Sequence, residues 1–127
     1  MNKVRLNKNF LEQFQDYNFS LISENKVFLV GSIRFKDYFI KIESILQINF
    51  NKIVSICSVD GLLNKSKFST QEWNALQQIA LRKLENQDAI LVLDVNNYIG
   101  DQTREEIEFF EKTLKKPVYY LSKLKFT

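Results

Sequence analysis

Four short apolar runs divide the chain: Val27-Phe28-Leu29-Val30, Lys52-Ile53-Val54-Ser55-Ile56-Cys57, Ala89-Ile90-Leu91-Val92-Leu93 and Pro117-Val118-Tyr119-Tyr120-Leu121. Apolar residues follow one another here instead of alternating with polar ones, the pattern of strands covered on both faces of a parallel sheet. Between the runs the apolar positions change period. Phe35, Phe39, Ile42 and Leu46 recur at steps of three and four. Trp73, Leu76, Ile79 with Ala80, and Leu84 do the same, as do Ile107, Phe110 and Leu114. Each set predicts a helix with one buried face. Strands alternating with helices predict right-handed βαβ units and an α/β fold, a three-layer doubly wound parallel sheet of flavodoxin/Rossmann-like type.

The punctuation agrees. Ser69 or Thr70 with Glu72 marks the start of the second helix, and Pro117 ends the third before the last strand. Asn96-Asn97-Tyr98-Ile99-Gly100-Asp101 is a turn-forming stretch between a strand and a helix. Nothing repeats and no linker divides the chain, so residues 1–127 are expected to form a single domain, with an N-terminal extension over 1–25 and an α/β core over 26–122. In the extension, Phe10, Leu11, Phe14 and Tyr17 predict a short amphipathic helix and Phe19-Ser20-Leu21-Ile22 a short strand. Phe10, Phe14, Tyr17 and Phe19 would cap the sheet or help cover an interface in a homo-oligomer.

Composition removes more chemistry than it suggests. The chain has no histidine and a single cysteine, Cys57. That excludes an intramolecular disulfide, a zinc site of the usual nitrogen and sulfur ligands, and catalytic arrangements that need an imidazole. No metal and no cofactor are expected. The net charge of +3 comes from lysines interleaved with acids. A basic face for nucleic acid is therefore not expected, and the local run from Lys112 to Lys125 reads as a solvated helix end and strand. No apolar stretch is long enough to cross a bilayer, and the first residues lack the apolar core of a secretory signal. A cytoplasmic protein with no membrane partner is the expectation.

In an open parallel sheet, ligands bind beyond the carboxyl ends of the strands, where the strand order reverses. Three loops leave such ends. Gly31-Ser32-Ile33-Arg34 offers a close backbone approach, a hydroxyl, a helix N-terminus and a guanidinium suited to an anion; taken in isolation it reads first as a turn, an N-cap and a surface charge. Cys57-Ser58-Val59-Asp60-Gly61 is a turn signal first. The stretch from Asp94 to Glu106 is the richest, with Asp94, Asp101, Glu105 and Glu106 close in sequence. Two such acids can divide into a nucleophile and a proton donor, as in retaining glycosidases. Thr103-Arg104-Glu105-Glu106 also has the form of a capping box, which would give Glu106 a purely structural task.

Taken together, these segments resemble the nucleoside 2-deoxyribosyltransferase-like superfamily, including the deoxynucleoside 5′-monophosphate N-glycosidases, from residue 27 to about residue 122. Phe28-Leu29-Val30-Gly31-Ser32-Ile33-Arg34 resembles the first strand and Gly-Ser-Ile-Arg loop of the N-glycosidase branch. Asp88-Ala89-Ile90-Leu91-Val92-Leu93-Asp94 is similar to the strand before the active loop, and Lys116-Pro117-Val118 to the start of the last strand. Tyr98-Ile99-Gly100-Asp101-Gln102-Thr103-Arg104-Glu105-Glu106-Ile107-Glu108 resembles the Tyr-Ile-Gly-acid run of an uncharacterised branch. The resemblance implies a nucleoside or nucleotide as small-molecule ligand, with Glu106 as nucleophile at the anomeric carbon of a 2-deoxyribonucleoside. It implies Asp94 or Asp101 as the acid assisting the leaving base. Tyr98 would orient a carboxylate, Gly31, Ser32 and Arg34 would line the sugar or 5′-phosphate pocket, and Gly100 and Thr103 would complete the substrate-binding set. Such enzymes often complete their pockets with a neighbouring subunit, which implies a homo-oligomer. The chain departs from the pattern at Phe35-Lys36, where the N-glycosidase branch has glycines, and at Glu108, where a glycine is usual. A nucleotide-binding sensor without turnover, or a protein that serves only in protein contacts, is the alternative on the same fold.

Overall fold

The computed structural model describes residues 4–56 and 65–126. All four apolar runs form strands: β1 (Lys26–Val30), β2 (Ile53–Ser55), β3 (Ala89–Val92) and β4 (Val118–Tyr120). They make one all-parallel sheet in the order β2-β1-β3-β4. The helices are α1 (Lys8–Glu12), α2 (Lys36–Phe50), α3 (Thr70–Glu85) and α4 (Asp101–Glu108), the last running on into a wide turn over Phe109–Thr113. The result is a three-layer α/β sandwich of the flavodoxin/Rossmann-like kind.

The continuous apolar runs are explained by cover on both faces. Val27 and Leu29 of β1 and Leu91 and Leu93 at β3 point to one side, onto Phe39, Ile42, Ile45 and Leu46 of α2. Phe28, Val30, Ile90 and Val92 point to the other, onto Leu84 of α3 and Ile107 and Phe110 at α4. Ser69 caps α3 as the sequence suggests: its hydroxyl accepts from the Glu72 N–H at 3.1 Å, and the Glu72 carboxylate accepts from the Ser69 N–H at 2.9 Å. Such reciprocal capping contributes about 1 kcal/mol. Lys116 Nζ ties the far end by donating to the Glu85 and Gln87 carbonyls, both at 2.8 Å.

One expectation about the N-terminal segment is corrected. Residues Phe19–Leu21 form a single 3-10 turn instead of a strand. Phe19 and Ile22 are buried while Leu21 is exposed, a three-residue spacing that a strand, with its period of two, cannot deliver. The aromatic rings of this segment pack onto the chain's own sheet layer, the capping arrangement that their spacing allows. Phe10, Phe14 and Phe19 are buried in the chain's own core, with Tyr17 packed against them, over the α2 face of the sheet. The segment is locked to the other end of the chain, where Asn18 N–H donates to Leu124 O at 2.7 Å and Phe126 N–H to Asp16 O at 2.9 Å.

Candidate functional site

After β1 the chain passes to β2 on one side, then returns to β3 on the other. The order therefore reverses between β1 and β3, and the crevice beyond their carboxyl ends is where such sheets hold ligands. A cleft of about 270 Å³ lies there, just below the usual range for small-molecule sites. Its described walls come from the end of β1 with Gly31, Ser32 and Ile33, from α3, and from the first turns of α4.

Gly31 makes the first wall possible. Its φ of +158° disfavours a side chain, and an added Cβ would crowd the end of β3, 3.2 Å from Leu93 Cβ and 3.3 Å from Leu93 O. Ser32 then caps the following turn, its hydroxyl accepting from the Arg34 N–H at 3.3 Å. The α4 wall opens differently. Gly100 is the N-cap, and no side chain caps the helix, so its first N–H groups are left to solvent or to a ligand.

That geometry removes the capping box suggested for Thr103 to Glu106. The helix opens at Asp101, two residues before Thr103, so Thr103 and Glu106 both lie inside it and both are buried. Glu106 lines the cleft at 9% exposure, and among the described residues its carboxyl has no hydrogen-bond or ion-pair partner. Burial, seconded by the charge of Glu105, pushes it up from 4.5 to about 7. A carboxyl without a partner in an apolar setting holds its proton because the charged form is poorly solvated.

The other expected residues divide between the cleft and its surroundings. Gly31, Ser32, Gly100, Asp101, Thr103 and Glu106 are brought together as cleft walls. Asp94 is not among them. Its buried carboxylate accepts from Ser122 N–H at 2.9 Å and Ser122 Oγ at 2.5 Å, which fixes the chain after β4 to the end of β3. Arg34 and Tyr98 lie outside the cleft walls and pair with each other, the guanidinium 4.0 Å above the ring and Phe35 edge-on to the same ring. The loop from Cys57 to Gly61 lies outside the described residues.

The sequence did not single out the third wall. Trp73, Leu76, Gln77, Ile79, Ala80 and Lys83 of α3 all face the cleft. The apolar stripe of this helix was expected to be buried against the sheet, yet only Leu84 is, while Ile79 is 45% exposed. The available signal was Gln77, a polar residue in the middle of an otherwise apolar face that runs Trp73, Ala80, Leu84. No family model, curated protein or solved structure matches the chain. Among the described residues, no helix is long and apolar enough to cross a membrane.

Proposed function

We propose that the chain acts on the N-glycosidic bond of deoxynucleosides or their 5′-monophosphates, with Glu106 as the nucleophile. The observation that carries this reading is Glu106 itself, a buried carboxyl without a partner in the cleft at the strand-order reversal. Structural carboxylates are normally hydrogen-bonded when buried, as Asp94 is; one left bare in a ligand-sized cleft is a candidate for chemistry. In its ionised form Glu106 would attack the anomeric carbon, forming a glycosyl-enzyme ester as the bond to the base breaks. Water or an acceptor base would then release the sugar. Asp101 is the other carboxyl on the described cleft walls and would take the position assisting the leaving base. The uncapped start of α4 and the Gly31-Ser32 backbone suit the hydroxyls or 5′-phosphate of the sugar.

Binding without turnover is the second reading, and one observation favours it. No group among the described residues orients the Glu106 carboxyl, whereas catalytic carboxylates are usually held by hydrogen bonds. Incubation with a panel of deoxynucleosides and 5′-monophosphates, read by chromatography for free base, separates the two. Base release that disappears in Glu106→Gln supports the N-glycosidase. Thermal stabilisation by the same compounds without base release supports the binding module.

A further inference from the structure

The α3 wall of the cleft is unlike the other two. Trp73, Leu76, Ile79 and Ala80 form its apolar lining, with Trp73 also packed against the Phe68 ring at 6.0 Å, in a helix whose fully buried anchor is Leu84. An apolar stripe that lines a cleft meets whatever occupies the cleft. Within the stripe stands one carboxamide, Gln77. It is half-buried, it lines the cleft, and among the described residues its amide makes no hydrogen bond. The other polar groups of the cleft are Lys83, on the same helix, and Ser32, the α4 N-terminus and Glu106, on the other walls.

We infer that Gln77 is the specificity-determining residue of the cleft, reading the hydrogen-bonding edge of a planar heterocyclic base while Trp73 and its apolar neighbours contact the ring. A carboxamide presents a donor and an acceptor side by side, which matches the adjacent acceptor and donor on the edge of a nucleobase. An aromatic and aliphatic wall suits the π-face of such a ring regardless of its identity. The division of labour follows: α3 holds the base, and α4 with the β1 loop holds the polar remainder of the ligand. The inference rests on the N-glycosidase reading for the class of ligand, but it is tested by binding alone.

Trp73 is the only tryptophan, so intrinsic fluorescence reports occupation of this wall. The full chain is titrated with free adenine, hypoxanthine, cytosine and thymine. A saturable change is expected with at least one of them, and Gln77→Leu should raise its Kd by about tenfold or more through loss of the paired hydrogen bonds. Gln77→Glu, which replaces the amide donor with an acceptor, should change the order of preference among the four. No saturable change with any base, or an unchanged Kd in Gln77→Leu, overturns the inference. The two proposals fail separately. Gln77-dependent base binding with no cleavage of any deoxynucleoside retains this inference and rejects the N-glycosidase. Base release with the same ranking in wild type and Gln77→Leu does the reverse.

Discussion

The Glu106→Gln variant should gain stability relative to the wild type as the pH rises. In the unfolded chain this carboxyl loses its proton near its ordinary value of 4.5, whereas in the fold it holds the proton to about 7. Between these values the folded state binds more protons than the unfolded state, so wild-type stability falls as pH rises and levels off above about pH 7. At about 1.4 kcal/mol per tenfold in proton affinity, the whole span is worth on the order of 3 kcal/mol. The penalty is under about 1 kcal/mol at pH 5 and near its full size at pH 8. Glutamine has nearly the same shape and no proton to lose, so any cost of burying its amide is the same at every pH. The gap in Tm between variant and wild type should therefore widen by several degrees from pH 5 to pH 8, at roughly 3–4 °C per kcal/mol for a chain of this length. Thermal unfolding followed by circular dichroism across that range is the assay. A gap that stays constant with pH would refute the raised proton affinity of Glu106. The same variant should abolish base release, and wild-type kcat/KM should climb to a plateau as pH passes about 7, since the nucleophile must be ionised.

Asp94→Asn should cost about 2 kcal/mol in urea unfolding, because an amide can accept only one of the two bonds from Ser122. An unchanged midpoint together with lost base release would return Asp94 to the chemistry. Gly31→Ala should destabilise by about 1–3 kcal/mol, from backbone strain and from the crowding at Leu93; equal stability would show that the loop can move aside. Lys115 sits at φ +54° just beyond the wide turn after α4, so Lys115→Gly should raise stability by up to about 1 kcal/mol. A fall in Tm would mean that the lysine side chain matters more than its backbone.

The strands were legible because cover on both faces leaves a continuous apolar run that few other arrangements produce. The helices were legible as faces, but a face says nothing of what lies against it. Trp73, Leu76 and Ala80 carry the same periodicity as Phe39, Ile42 and Leu46, yet the first set borders a cleft and the second a sheet. Position in space decides between them, and local sequence does not encode it. The acid cluster after β3 was visible, whereas its division was not. Asp94 and Glu106 are both buried and acidic, and what separates them is Ser122, a residue from beyond the next strand. The start of α4 was misplaced because Gly100 offers no side-chain cap, while Thr103 and Glu106 imitate one.

The clasp between the two ends of the fold sets an order of events during synthesis. Asp16 and Asn18 emerge from the ribosome roughly a hundred residues before Leu124 and Phe126, the residues they bond. At about 5–20 residues per second that is a wait of about 5–20 seconds. For most of it Phe10, Phe14 and Phe19 lack β3, and to its end they lack the Leu121 and Leu124 side chains that share their core. The nascent chain therefore carries an incompletely covered aromatic cluster until Leu121 and Leu124 are made, and this interval is when a chaperone has something to hold.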